Sequence, residues 1–243
     1  FGLLINLIIL LTFTVFAYHV ERFNWEVSFT RFIQSFDLGQ FRFLRSWLFW
    51  MGGLGVSGIV LGAATLFLLL KKYSIEAFFV FLTLLPNAFN YFVRDIVSRG
   101  RPTADLVEVI GSPQGFSFPS GHSLHVTFFY GFLIYLIVIL PSYRPFPRFL
   151  WLIPSIYVPF AGVWLIYDGR HWLSDVLGGY IYGTFYLIMW IIVFRWMKIQ
   201  MLTFGRFGML YRLLRIPSVL LHRFLICVSD LRSVFLNWIR FGA

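Results

Sequence analysis

Three short stretches carry most of the groups in this chain suited to acid–base or phosphoryl chemistry: NYFVRDIVSRGRP (90–102), PSGHS (119–123) and YDGRHWLSD (167–175). In the last, His171 and Asp175 stand four apart. A helix starting near Trp172 places both on one face, where the carboxylate orients the imidazole and stabilises its charged form. A nucleophilic or acid–base histidine needs that support, although the same pair also describes an ordinary helix start. In the PSGH turn, Ser120 is suited to cap a helix, Gly121 admits close backbone approach, and the N–H groups of the first turn form an anion cradle. His122 lies beside that cradle, placed to protonate a leaving oxygen; a capped helix end with a histidine at headgroup level is the plainer reading of the turn alone. Arg94, Arg99 and Arg101 are forked, permanently charged donors suited to phosphate oxygens, and Asp95 offers Arg94 or Arg99 a surface ion pair instead. Taken together these parts describe phosphoryl transfer by cationic clamps, backbone donors, a nucleophile with its orienter and a general acid, with no cofactor and no metal.

Such a site must be positioned by elements that suit lipid. The 243 residues are 59% hydrophobic and 12% charged, with a mean hydropathy of +0.80, a balance that a soluble domain cannot hide from water. An all-α, polytopic membrane protein is expected. A spanning helix needs about 20 mostly apolar residues, and six runs qualify: 2–18, 47–70, 73–93, 123–140, 150–167 and 172–194. The first lacks a basic leader and a small-residue cleavage pattern, so it reads as a span rather than a signal peptide. One cysteine, Cys227, allows no internal disulfide or thiolate metal cluster. The net charge of +10 points to anionic lipid headgroups rather than nucleic acid, because the basic residues flank the spans.

Six spans put both termini on one side, and Lys/Arg asymmetry selects the side. Twelve basic residues lie in the terminal-side segments and eight in the others, which places the termini in the cytoplasm and the three polar stretches outside it, in the cytoplasmic (inner) membrane. Residues 19–46 form an outside connection with Phe29, Phe32, Ile33 and Phe36 at helical spacing, read as an interfacial helix or as one packed on the bundle. The organisation expected is a membrane domain over 1–194 and a basic amphipathic tail over 195–243, lying on the cytoplasmic leaflet or docking a partner subunit. His125 reads as a bundle-facing polar group, Asp168 as a salt-bridge partner of Arg170, and Pro86, Asn87 and Asn90 as shaping the third span.

In this order the motifs resemble those of the type 2 phosphatidic acid phosphatase superfamily of membrane lipid phosphatases. That family carries a basic residue, six residues and Arg-Pro, then Pro-Ser-Gly-His, then Ser-Arg, five residues, His, three residues and Asp. The first motif is similar to Arg94 through Arg101-Pro102, with Arg where Lys is usual, the second is complete at Pro119–His122, and the third keeps His171 and Asp175. The family's Ser-Arg pair falls on Trp164 and Leu165, so one phosphate ligand is missing. A charge-assisted hydrogen bond contributes about 1.5–3 kcal/mol, equivalent to roughly ten- to a hundredfold in rate. Arg170, which adjoins His171, and Arg99 are the cations expected to compensate.

The resemblance implies a metal-independent hydrolysis of a lipid phosphate or pyrophosphate monoester. In it His171 forms a phosphohistidine, Asp175 steadies the imidazole, His122 is acid then base, and Arg94, Arg101 and the backbone at Ser120 and Gly121 hold the phosphate. The alternative is a catalytically impaired member of the fold that serves as a structural or assembly subunit of a larger membrane complex. A transporter fits less well, since ionisable groups are scarce in the spans, and a zinc hydrolase lacks paired histidines at metal-ligand spacing.

Overall fold

A computed structural model of the chain describes residues 2–37, 52–140 and 152–213, and among these the regular structure is helical, with no strand. The elements are α1 (Gly2–His19), α2 (Asn24–Gln34), α3 (Leu54–Leu70), α4 (Ser74–Phe81), a 3₁₀ turn (Leu82–Leu84), α5 (Leu85–Val97), α6 (Gly121–Ile139), α7 (Leu152–Tyr167) and α8 (Leu173–Leu213). Four described segments are long and apolar enough to cross a membrane: Gly2–His19, Ser74–Val97, Gly121–Ile139 and Leu173–Met201. Two more, Gly55–Leu70 and Ser155–Tyr167, are apolar but shorter. The chain is thus an all-helical integral membrane protein. The beginnings of the expected spans at 47 and 150 lie outside the described residues, as do the connection at 38–46 and the tail from 214 onward with Cys227.

Departures from the expected spans have local causes. The third run continues to Val97 through the 3₁₀ turn, and Pro86 stands in the first turn of α5, where its missing N–H costs no helical hydrogen bond. Beyond position 194 the helix continues to Leu213, so the described part of the basic tail prolongs α8. The chain divides into two compact units, Phe1–Leu187 and Ile188–Ala243; the polar stretches all belong to the first.

Within that unit, Leu10 and Ala17 of α1, Val93 and Val97 of α5, Phe118, Leu124 of α6 and Tyr182 of α8 form one buried cluster. Thr14 and Tyr182 share a hydrogen bond of 2.7 Å across it. α8 meets α6 through glycines: a Cβ at Gly179 would lie 2.6 Å from the Ser120 carbonyl oxygen, and one at Gly183 2.8 Å from that of Leu124. Backbones that approach so closely fix the start of α6 against α8.

α2 resolves the reading of the first connection. Phe29 and Ile33 pack on Leu165, Ile166 and Val176, whereas Trp25, Phe32 and Phe36 are exposed and Glu26 and Thr30 fully buried. This helix therefore turns Glu26 and Thr30 inward together with Phe29 and Ile33, and leaves Trp25 and Phe32 outward. Gln34 at its end donates to the carbonyls of Glu108 (2.6 Å) and Tyr167 (2.9 Å), clamping the 103–112 loop to the end of α7.

Candidate active site

The three polar stretches converge at one end of the bundle. Arg94 occupies the last turn of α5, Arg99 and Arg101 the segment after it, Ser120 caps α6, His171 sits in the turn between α7 and α8, and Asp175 in the first turn of α8. α8 starts at Leu173, so His171 precedes the helix and meets Asp175 from the turn rather than along a shared helical face.

His171 is 5% exposed. Its Nδ1 lies 3.7 Å from Asp175 Oδ2 and its Nε2 3.3 Å from Arg101 Nη1. The carboxylate side thus favours the proton on Nδ1, leaving the Nε2 lone pair toward the guanidinium. Burial, aided by Arg101 and only partly opposed by Asp175, pushes the His171 pKa down to about 4, so the imidazole is neutral, and nucleophilic, at neutral pH.

Asp175 is fully buried and satisfied on both oxygens. Oδ1 accepts from Arg99 Nη1 at 2.6 Å, and Oδ2 accepts from the Trp172 N–H at 2.8 Å and from the Ser117 hydroxyl. Arg99 also donates to Ser174 Oγ (2.6 Å), Glu26 Oε2 (3.0 Å) and the Glu21 carbonyl (2.9 Å). A guanidinium held by two carboxylates, with no side-chain exposure, is not available to replace the missing third-motif arginine.

The remaining cations are steered by the turn before PSGH. Arg101 Nε donates to the Gly115 carbonyl at 2.9 Å, and Arg94 donates to the next carbonyl, Phe116, through Nε at 2.9 Å and through Nη2. Ser117 then bonds Asp175, and Phe118 is buried in the core. Residues 115–118 hence stitch the first motif to the third. Arg101 also reaches the Arg170 carbonyl at 2.6 Å. Burial, followed by the neighbouring Arg94, lowers its pKa to about 10, which leaves it charged at neutral pH.

Ser120 accepts from the Ser123 N–H at 3.4 Å as the N-cap of α6, and its own N–H donates to the Asp175 carbonyl at 3.0 Å. That N–H is committed, and the cap takes the Ser123 N–H, so neither serves the anion cradle expected at this turn. A Cβ on Gly121 would lie 3.0 Å from Asn90 Nδ2 and 3.7 Å from Arg94 Nη1. Both donors approach the cradle along one face of α5. His122, the next residue, is half-buried, with Gly52 so close that any Cβ there would overlap its imidazole.

Leu165 is 5% exposed within the cluster of Ile166, Val176, Phe29 and Ile33. Arg170 pairs with Asp168 at 3.4 Å, and its Nη2 lies 3.1 Å from where a Cβ of Gly111 would be, beside the 103–118 loop. His125 is buried between helices, accepting from Asn87 Nδ2 at 2.9 Å and stacked on Phe129. Glu26, Ser117 and Ser174 are not singled out in the sequence, where none belongs to a motif, and Asn90, read there only as shaping its span, stands beside Gly121.

A family model described as PAP2 superfamily matches residues 75–200. Over 102 residues the chain is 30% identical to phosphatidylglycerophosphatase B of Bacillus subtilis (strain 168), covering 41% of this chain and 49% of that protein, so the match spans about half the relative's length. In structure the chain is similar to the crystallised transmembrane PAP2 type phosphatidylglycerolphosphate phosphatase from Bacillus subtilis, with a TM-score of 0.63 and 18% identity over 79% of this chain and 96% of that one. At that identity the likeness is one of fold.

Proposed function

The chain belongs to the PAP2 superfamily, and from that premise we propose that it hydrolyses a lipid phosphate or pyrophosphate monoester through a phosphohistidine, without a metal ion, on the side of the cytoplasmic membrane away from the cytoplasm. The observation that carries this reading is the imidazole of His171 between Asp175 on Nδ1 and Arg101 on Nε2. Nε2 attacks phosphorus, the bond from phosphorus to the lipid oxygen breaks, and His122 gives that oxygen a proton. Arg94, Arg101 and the N–H groups at the start of α6 hold the equatorial oxygens as charge develops. Water, deprotonated by His122, then attacks phosphorus, the P–N bond breaks, and inorganic phosphate leaves with His171 regenerated. Of the two cations suggested to compensate for Leu165, only Arg170 retains that role, because Arg99 is held by Glu26 and Asp175.

Phosphatidylglycerol phosphate, phosphatidate and polyprenyl pyrophosphate all present a terminal phosphate at headgroup depth, and the first is favoured by the Bacillus subtilis relative. The test is inorganic phosphate release from these lipids by detergent-purified protein in EDTA, with His171→Ala alongside. Release that persists in the mutant removes the nucleophile assigned here.

One observation favours a second reading. Leu165 is part of the apolar packing between α2, α7 and α8, as in a fold kept for assembly in a larger membrane complex rather than for turnover. Absence of release from every lipid, with stoichiometric partners that copurify only when residues 195–243 are present, establishes that role instead.

A further inference from the structure

We propose that Glu26 is a positioning residue for phosphoryl transfer, through which α2 sets the orientation of Asp175 and hence of His171; the inference rests on the functional reading above. Glu26 lies on the first connection, far in sequence from the three motifs. Its side chain is fully buried, and each carboxylate oxygen accepts two hydrogen bonds. Oε1 takes the Ser174 N–H at 2.9 Å and the Ser174 hydroxyl at 2.6 Å. Oε2 takes Arg99 Nη2 at 3.0 Å and the Phe23 N–H at 3.0 Å.

The first pair of bonds caps α8 from outside the helix. Ser174 is its second residue and Asp175 its third, and a carboxylate on a first-turn N–H is favoured by the orphan donors and the dipole at a helix start. Of the second pair, one bond holds Arg99, whose Nη1 grips Asp175 Oδ1 at 2.6 Å, and the other ties the carboxylate to the start of α2. Glu26 therefore restrains Asp175 by two routes, through the backbone that carries it and through the cation that binds it. Asp175 Oδ2 is then left for the Trp172 N–H, the Ser117 hydroxyl and the Nδ1 side of His171.

Stability alone does not account for this arrangement. Burying three charged side chains carries a large desolvation penalty, and apolar residues of like volume commonly serve stability as well or better. What such a network does supply is a single geometry, since every donor and acceptor has one partner position. Displacing a reacting group by about 1 Å costs on the order of a hundredfold in rate, so a nucleophile oriented through Asp175 gains from a fixed Asp175.

The experiment compares wild type, His171→Ala, Glu26→Gln and Glu26→Asp in detergent, reading kcat and KM for lipid phosphate, the affinity for orthovanadate and the melting temperature. Orthovanadate bonds to an imidazole nitrogen in a trigonal bipyramid, so it reports whether the site is assembled without requiring turnover. Glu26→Gln keeps the shape but sets an amide N–H against Arg99 and Phe23. Assayed well below a melting temperature that itself falls because Arg99 loses a buried partner, it is expected to lower kcat and vanadate affinity by about tenfold or more, with KM within about twofold. Retention of both kcat and vanadate affinity overturns the proposal, and so does a loss accounted for by unfolding at the assay temperature. Should Glu26→Gln fail to fold, Glu26→Asp decides in the same terms, because it keeps the charge and shortens the reach. A wild type that binds vanadate yet releases phosphate from no lipid defeats the functional reading alone, leaving the Glu26 comparison to vanadate; a wild type that binds none defeats both.

Discussion

Arg101 Nη1 lies 3.3 Å from His171 Nε2, with the same nitrogen 2.6 Å from the Arg170 carbonyl. The guanidinium is thereby anchored by the residue that precedes His171, and under the proposed mechanism a phosphoryl group arriving at Nε2 would meet it directly. Replacing Arg101 by Ala is expected to lower kcat/KM by about a hundredfold. Arg101→Lys should recover only part of this, because a single ammonium cannot serve the Gly115 carbonyl, the Arg170 carbonyl and a phosphate together. Steady-state phosphate release on one lipid substrate checks both.

His171→Ala removes the proposed nucleophile. Turnover should fall by at least about a thousandfold, and no acid-labile phosphoenzyme should form from radiolabelled substrate, while His122→Ala should still accumulate label when the leaving group is a good one.

pH acts on His171 with a definite sign. Its folded pKa is about 4 against an ordinary value of 6.5, so between those values the unfolded chain binds a proton that the folded chain does not. The stability tied to neutral His171 is intact above pH 6.5 and is lost as pH falls toward 4. The melting temperature of wild type should drop across that window more steeply than that of His171→Leu, and a parallel decline in the two proteins would show that His171 is not the responsible group.

Leu165→Arg places a guanidinium among Ile166, Val176, Phe29 and Ile33. An unpaired buried charge there should destabilise the protein by about 3 kcal/mol or more, seen as a lower melting temperature, without raising phosphate release. Raised release would mean that this position reaches the phosphate after all, as the family pattern implies.

Gly179 lets α8 lie against the PSGH turn, with no room for a side chain beside the Ser120 carbonyl. Gly179→Leu should cost about 1–3 kcal/mol of stability and more activity than that loss alone explains, since the turn that carries His122 must move. Thermal unfolding and phosphate release on the same preparation separate the two effects.

Read along the chain, the residues already reveal the membrane class, the helical runs and the order of three polar stretches, because apolar length and motif spacing are properties of consecutive residues. They do not reveal where each charge goes. Arg94, Arg99 and Arg101 look alike in sequence, yet buried carboxylates from α2 and α8 claim Arg99, whereas carbonyls of Gly115 and Phe116 aim Arg101 and Arg94. Glu26 and Ser117 carry no motif and become neighbours of Asp175 or its partners only when distant segments pack. Leu165, at a motif position, proves to be apolar packing between helices. Sequence alone determined which chemical groups the chain owns and the elements that carry them. Tertiary structure decided which groups neutralise one another and which gather around His171, because a buried charge must find its partner across the fold and spacing along one helix reports only that helix's own neighbours.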